Sequence, residues 1–150
     1  MPVKIEQVVE IAAPPQRVWS VMTDVVRWPE WTASVRSVEL LEETRPLAPG
    51  SRVRIRQPRL PTAVWTVTAI EPERYFEWRN VASGVTSLGG HRIEALGSDR
   101  ARVFLSLEWR GWLAPLIGLV YGGLSRRYVQ TEAEGLKRRC EAGPGIRSDQ

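Results

Sequence analysis

APLIGLVYGGLSRRYVQTEAEGLKRRC, residues 114–140, is the stretch whose reading decides the fold. Pro115 falls in a first helical turn, where its missing N–H would have no partner anyway. Leu116, Val120 and Leu124 then recur at helical spacing, and Val129, Ala133 and Leu136 continue on a face turned slightly round the axis. Charges cluster late, in Arg126, Arg127, Glu132, Glu134, Lys137, Arg138 and Arg139. The basic end complements the carbonyl end of the helix dipole, and Gly143–Pro144 stops the chain. At about 1.5 Å per residue this is a helix of roughly 40 Å. A helix of that length needs something broad to lie on.

The chain ahead of it supplies a sheet. Val3–Ile11 is rich in valine and isoleucine and ends at Ala12–Ala13–Pro14–Pro15. Pro15 opens a short helix with Val18, Val21 and Met22 on one side and Trp19 beside them. Asp24 is placed to cap a second short helix, limited by Pro29. Strand character then returns at Val35–Glu42, Ser51–Gln57, Thr62–Ile70, Tyr75–Asn80, Gly84–Leu96 and Arg100–Arg110. In Ser51–Gln57, Val53 and Ile55 alternate with Arg52, Arg54 and Arg56, the pattern of a half-buried strand. Strands at short spacing with turns between them, such as Gly97–Ser98–Asp99, predict antiparallel pairing. The fold class is therefore α+β, with helices packed on one face of a curved sheet. Residues 1–140 read as a single domain, and 141–150 as a loose tail.

Composition narrows the function. The 150 residues are 43% hydrophobic and 25% charged, as in ordinary globular proteins. The net charge of +4 permits an anionic partner, but the 21 basic residues form no long run and read as a solvated surface. One cysteine, Cys140, excludes a disulfide framework, and with one histidine and no HExxH or paired CxxC no metal site is expected. No GxSxG elbow, GxGxxG or phosphate loop is present, so no nucleotide cofactor is expected. Arg52, Arg54, Arg56 and Arg59 make a basic stripe, but RNA-binding aromatic signatures are missing and nucleic acid is not an expected partner. The longest uncharged run, Gly111–Ser125, is short of the roughly 20 residues that cross a bilayer. Met1–Pro2–Val3–Lys4 leads straight into a strand pattern with no secretory signal, so the expected location is cytoplasmic.

Ile5–Glu39, IEQVVEIAAPPQRVWSVMTDVVRWPEWTASVRSVE, resembles the opening of the polyketide cyclase/dehydrase and lipid-transport family. That family belongs to the START-like superfamily, also called SRPBCC or Bet v 1-like. The matching elements are a strand ending in Ala13–Pro14, then Val18–Trp19, Thr23–Asp24, Trp28–Pro29–Glu30–Trp31 and a strand through Val38. Gly50–Ser51, Trp78 and the Gly111–Gly118 stretch also match, so the resemblance runs over about residues 3–140. It implies a helix-grip fold: a seven-stranded curved antiparallel sheet around the C-terminal helix, with two short helices closing one end. It also implies a hydrophobic ligand cavity between sheet and helix.

Residues suited to such a cavity can be named. Trp65, Trp78 and Trp109 lie in strands, where wide apolar side chains serve either a pocket wall or a core. Leu116, Val120 and Leu124 form a helical stripe, and Tyr121 and Tyr128, seven residues apart, share a helix face and offer hydroxyls. His91 alternates with the apolar set Ile93 and Ala95 and titrates nearest neutral pH. His91 and Tyr128 are thus the candidates for proton transfer, with no partner identifiable by spacing. Trp28 and Trp31 flank Pro29 and read as a packing corner. Gly118, Gly122 and Gly123 lower helix propensity and mark either close helix–sheet packing or a gap that admits an apolar ligand.

Two functions stay open. One is a carrier or binding protein for a hydrophobic small molecule, such as a lipid, polyketide or isoprenoid-like compound. The other is a cyclase/dehydrase-type enzyme that holds an aromatic or poly-carbonyl substrate in the same cavity. Trp112, Leu113, Leu116 and Ile117 beside basic residues add a weak membrane-surface contact as a third expectation.

Overall fold

The fold was obtained as a computed structural model that describes residues 3–42 and 46–142. Seven strands form one antiparallel sheet: β1 Val3–Ile11, β2 Ser37–Leu40, β3 Arg52–Arg56, β4 Ala63–Glu71, β5 Tyr75–Ala82, β6 Val85–Gly97 and β7 Arg100–Arg110. Their spatial order is β1-β7-β6-β5-β4-β3-β2. From β2 onward each strand pairs with the next, so short turns suffice. β1 alone breaks the sequence order and closes the far edge against β7. Helix α1, Pro15–Thr23, and a 3₁₀ helix, Val25–Glu30, carry the chain from one edge to the other. α2 runs from Ala114 to Ala142. This is the helix-grip arrangement that the family resemblance implies. The helical stop at Gly143–Pro144 and residues 143–150 of the expected tail lie outside the described residues; Glu141 and Ala142 belong to α2.

Local chemistry explains most boundaries. α1 begins at Pro15 and buries Pro15, Val18, Val21 and Met22. Asp24 does not cap the next helix through its side chain. It pairs instead with Arg27, 3.1 Å away, and the segment containing Pro29 winds as 3₁₀, a form suited to one or two turns. In β3, Val53 and Ile55 are buried while Arg54 turns outward to Glu39 at 2.8 Å. On the outer face Glu10 of β1, Arg102 of β7 and Glu94 of β6 form a chain of ion pairs at 2.9 and 3.0 Å.

The hold on α2 is uneven, and this positions the site. Its C-terminal half buries Ala133, Leu136 and Cys140 in the main core. Polar contacts pin the same half: Arg139 to Glu30 at 2.7 Å, Lys137 to the Glu10 carbonyl at 3.0 Å, and the Ala12 N–H to Glu141 at 2.8 Å. Gly135 lets the helix approach the Trp31 carbonyl so closely that a Cβ would collide with it. The main sheet contacts of α2 are with β1 and β7. A helix lying along one side of a curved sheet leaves the other side of the groove unfilled.

Candidate functional site

That unfilled side is a cavity of about 380 Å³ between α2 and the concave face of β3–β7. Its walls are mostly apolar. Trp65 and Trp78 lie 5.9 Å apart by ring centroid, Trp28 meets Trp78 at 5.4 Å, and Trp109 and Leu107 line the β7 side. Gly89 has no side chain because the Trp78 ring lies across it; a Cβ there would come within 2.6 Å of Trp78 Nε1. Exposed Pro61, Thr62 and Ala82 line the cavity too, so its mouth lies among the β3–β4 loop, the β5–β6 hairpin and the first half of α2.

His91 and Glu132 share the inner end. His91, on β6, lies opposite Phe76 of β5 and Leu105 of β7. Its ring stacks on Phe76 at 4.1 Å and stands edge-on to Trp78 at 5.2 Å, with Trp28 at 5.7 Å. Nδ1 lies 3.4 Å from the Phe76 carbonyl, which can only accept; the proton therefore belongs on Nδ1 and the lone pair on Nε2. Nε2 is 3.8 Å from Glu132 Oε2. Burial acts on the two groups in opposite senses, since it disfavours whichever form is charged. It holds His91 down to about 3 against a weaker opposing effect from Phe76, and pushes Glu132 up to about 8. At neutral pH the pair is therefore a carboxylic acid beside a neutral imidazole. One can give a proton and the other can take one.

The structure gathers Trp65, Trp78, His91, Trp109, Tyr121 and Tyr128 around this cavity. It places Leu116 and Val120 on the exposed face of α2, and Leu124 outside the cavity wall; Ile117, Ser125, Val129 and Glu132 stand on the inward face instead. The Tyr128 hydroxyl donates to the Pro58 carbonyl, so its ring walls the cavity while its polar end ties the β3–β4 loop to α2. The glycines divide as well. Gly118 faces Val3, where a Cβ would lie at 3.1 Å, whereas a Cβ on Gly122 or Gly123 would meet nothing within 4 Å. Trp28, read from sequence as a corner residue, is both: its Nε1 donates to the Met22 carbonyl at 2.9 Å and its ring reaches His91 and the cavity. Cys140 is buried against the core, and burial pushes its thiol up to about 12, which leaves it unsuited to nucleophilic work. Among the described residues no cluster could hold a metal ion, and no helix is long and apolar enough to cross a membrane.

A seven-stranded sheet gripping a terminal helix over an apolar cavity defines a START-like domain. The sequence matches the family described as polyketide cyclase/dehydrase and lipid transport over residues 2–141, and the chain belongs to that family. Among solved structures it is similar to the Zhui aromatase/cyclase from Streptomyces sp. R1128, with a TM-score of 0.78 and 20% identity over 99% of this chain and 98% of that one. A START superfamily protein from Mycobacterium smegmatis gives a TM-score of 0.75 at 17% identity, over 92% and 97% of the two chains. Ara h 8.0201 gives 0.71 at 12%, over 95% and 100%. Likenesses at such identities establish the fold. No curated protein matches the sequence.

Proposed function

We propose that the protein binds a hydrophobic, carbonyl-bearing small molecule in the cavity and moves a proton on it through Glu132 and His91. The observation that carries this reading is the acid–base pair, His91 buried and Glu132 largely so, at the inner end of an otherwise apolar chamber. Apolar walls contribute affinity at about 25 cal/mol per Å² of surface removed from water. The pair then contributes orientation and chemistry. The carboxylic acid of Glu132 hydrogen-bonds the ligand carbonyl oxygen, while His91 Nε2 takes a proton from the neighbouring carbon. The electron pair of that C–H bond becomes the enol double bond, and the Glu132 proton passes to oxygen. This is the step that ring closure and dehydration of a poly-carbonyl compound have in common, and it agrees with the family. Glu132, pushed up to about 8, is protonated at neutral pH and matched to its task, whereas burial makes free His91 a weak base. The imidazolium that His91 becomes is stabilised by the Glu132 carboxylate left 3.8 Å away once the proton has passed to oxygen.

A second reading is carriage without turnover. It is favoured by one observation: among the described cavity-lining residues there is no lysine or arginine to stabilise an enolate oxygen. An exchange experiment separates the two. With 1-phenyl-1,3-butanedione in D₂O, the catalytic reading expects binding and accelerated deuterium incorporation at the carbon between the carbonyls, followed by NMR. Glu132→Gln and His91→Asn should each lower that rate at least tenfold with binding retained. Binding with an exchange rate equal to the buffer rate leaves carriage. A compound released by solvent extraction of protein purified from its source, identified by mass spectrometry, would fix the ligand class.

A further inference from the structure

The outer face of α2 is apolar where a solvated helix should be polar. Leu119 is 82% exposed, Val120 60% and Leu116 53%, and they form one stripe at helical spacing. Trp112, just ahead of the helix, is 80% exposed. The β5–β6 hairpin extends the patch: the Leu113 N–H donates to the Gly84 carbonyl at 2.9 Å, and Val81 near that turn is 66% exposed. The patch borders the cavity mouth, since Ile117 and Tyr121 on the same turns of α2, and Ala82 in the hairpin, line the cavity.

Charge around the mouth has one sign. None of the 17 acidic residues falls in 57–64, 79–87 or 109–128, the segments that carry the mouth-lining Leu60, Pro61, Thr62, Ala82, Ile117 and Tyr121. Exposed Arg126 and Arg127 follow the apolar stripe on α2. Exposed Arg59 sits across the mouth in the β3–β4 loop, next to cavity-lining Leu60 and Pro61. Among the described residues none of these three arginines is in an ion pair, whereas Arg27, Arg52, Arg54, Arg100, Arg102 and Arg139 all are. An apolar centre with a tryptophan and unpaired arginines at its border fits the interface of an anionic bilayer, where apolar side chains enter the acyl boundary and the guanidinium groups meet lipid phosphates and carboxylates. A second copy fits less well. A two-fold interface would bring this same acid-free surface against itself.

We propose that the mouth end of the domain, centred on Trp112, Leu116, Leu119 and Val120, docks on an anionic lipid bilayer. Docking there sets the cavity mouth against the bilayer surface. It rests on the hydrophobic-ligand reading only for what passes through the mouth, and the exchange assay does not enter its test.

The test uses flotation of the full chain with phosphatidylcholine vesicles, with and without phosphatidylserine. At low salt the protein is expected to float with the phosphatidylserine vesicles, with a preference of roughly 100-fold from three arginines. High salt should remove most of that preference. Arg126→Gln with Arg127→Gln should weaken binding at least about tenfold, and Leu119→Glu with Val120→Glu should abolish it, with unchanged circular dichroism in both variants. Should the glutamate variant fail to fold, brominated lipids give an independent readout: wild-type emission is quenched on docking, and Trp112→Phe loses most of the quenching. The proposal is overturned by no association with anionic vesicles, or by equal association of wild type and both variants. It is also overturned by a dimer in sedimentation that the glutamate pair dissociates, which would assign the face to a second copy.

Discussion

Glu132 illustrates how much one position can carry and how quietly a sequence records it. In the sequence it stands among late-helix charges with nothing to single it out. Yet Tyr121, Ser125, Tyr128 and Glu132 fall at i, i+4, i+7 and i+11, one helical face, and that spacing was the available signal. What spacing cannot supply is desolvation, which depends on His91 approaching from a strand 41 positions earlier in the chain. Desolvation has a consequence for stability with a definite sign. Glu132 in the folded state holds its proton to about pH 8, whereas the ordinary value is 4.5. Between those values the folded state binds more protons than the unfolded one, so stability falls as pH rises. His91 acts in the opposite sense between about 3 and its ordinary 6.5, where the unfolded state binds more and stability rises with pH. From 4.5 to 6.5 the two slopes oppose one another, and only above 6.5 does Glu132 act alone. Wild type should therefore lose about 2 kcal/mol relative to Glu132→Gln between pH 6.5 and 8, at about 1.4 kcal/mol per unit. Denaturant unfolding of both proteins at the two pH values measures it. Parallel losses would mean that Glu132 is ionised in the folded state, and the acid half of the proposed chemistry would fail.

At the scale of the element, α2 shows which part of a helix a sequence can orient. Its existence, its start at Ala114 and its late basic turn were legible, because Pro115, the apolar spacing and the charge order all agree. Its inward face in the first half was not. Leu116 and Val120 recur as regularly as Ile117, Tyr121 and Ser125, so a turn that is apolar on both sides offers periodicity no choice. Contact with the sheet decides, and it turns Leu116 and Val120 to the outside. The same helix makes a paired prediction from three glycines that propensity treats alike. Gly122→Ala has open space for the methyl group and should stabilise by about 1 kcal/mol. Gly135→Ala drives a methyl into the Trp31 carbonyl, and overpacking of about 1–3 kcal/mol should exceed the propensity gain. Gly118→Ala, whose neighbour is the movable side chain of Val3, should fall between them. Thermal unfolding of the three variants orders them. If Gly135→Ala is as stable as Gly122→Ala, the helix is not held against Trp31 as the structure has it.

For the whole molecule, the hollow is the price of a helix pinned at one end. The sheet, its antiparallel order and the two short helices were readable from turn residues and alternation, and the family resemblance supplied the grip. The hollow's position was not readable, because it depends on α2 resting mainly on β1 and β7 and leaving room between itself and the Trp65 and Trp78 side of the sheet. That geometry sets stability and ligand capture against each other. Ser125 is buried, lines the cavity and sits midway along its helical wall. Ser125→Leu replaces a small polar side chain with one that fills part of the 380 Å³. The free protein should gain stability, about 0.5–2 kcal/mol for a filled void, while affinity for a cavity ligand falls at least tenfold. Wild type should gain in melting temperature as ligand is added, following the logarithm of ligand over dissociation constant, and the variant should not. The diketone used for exchange serves as the probe, with calorimetry for affinity and a thermal melt for stability. A variant that becomes more stable and still binds with wild-type affinity would place the ligand elsewhere on the molecule. A variant that loses both would show the space around Ser125 to be already filled, and the chamber to be narrower than its walls define.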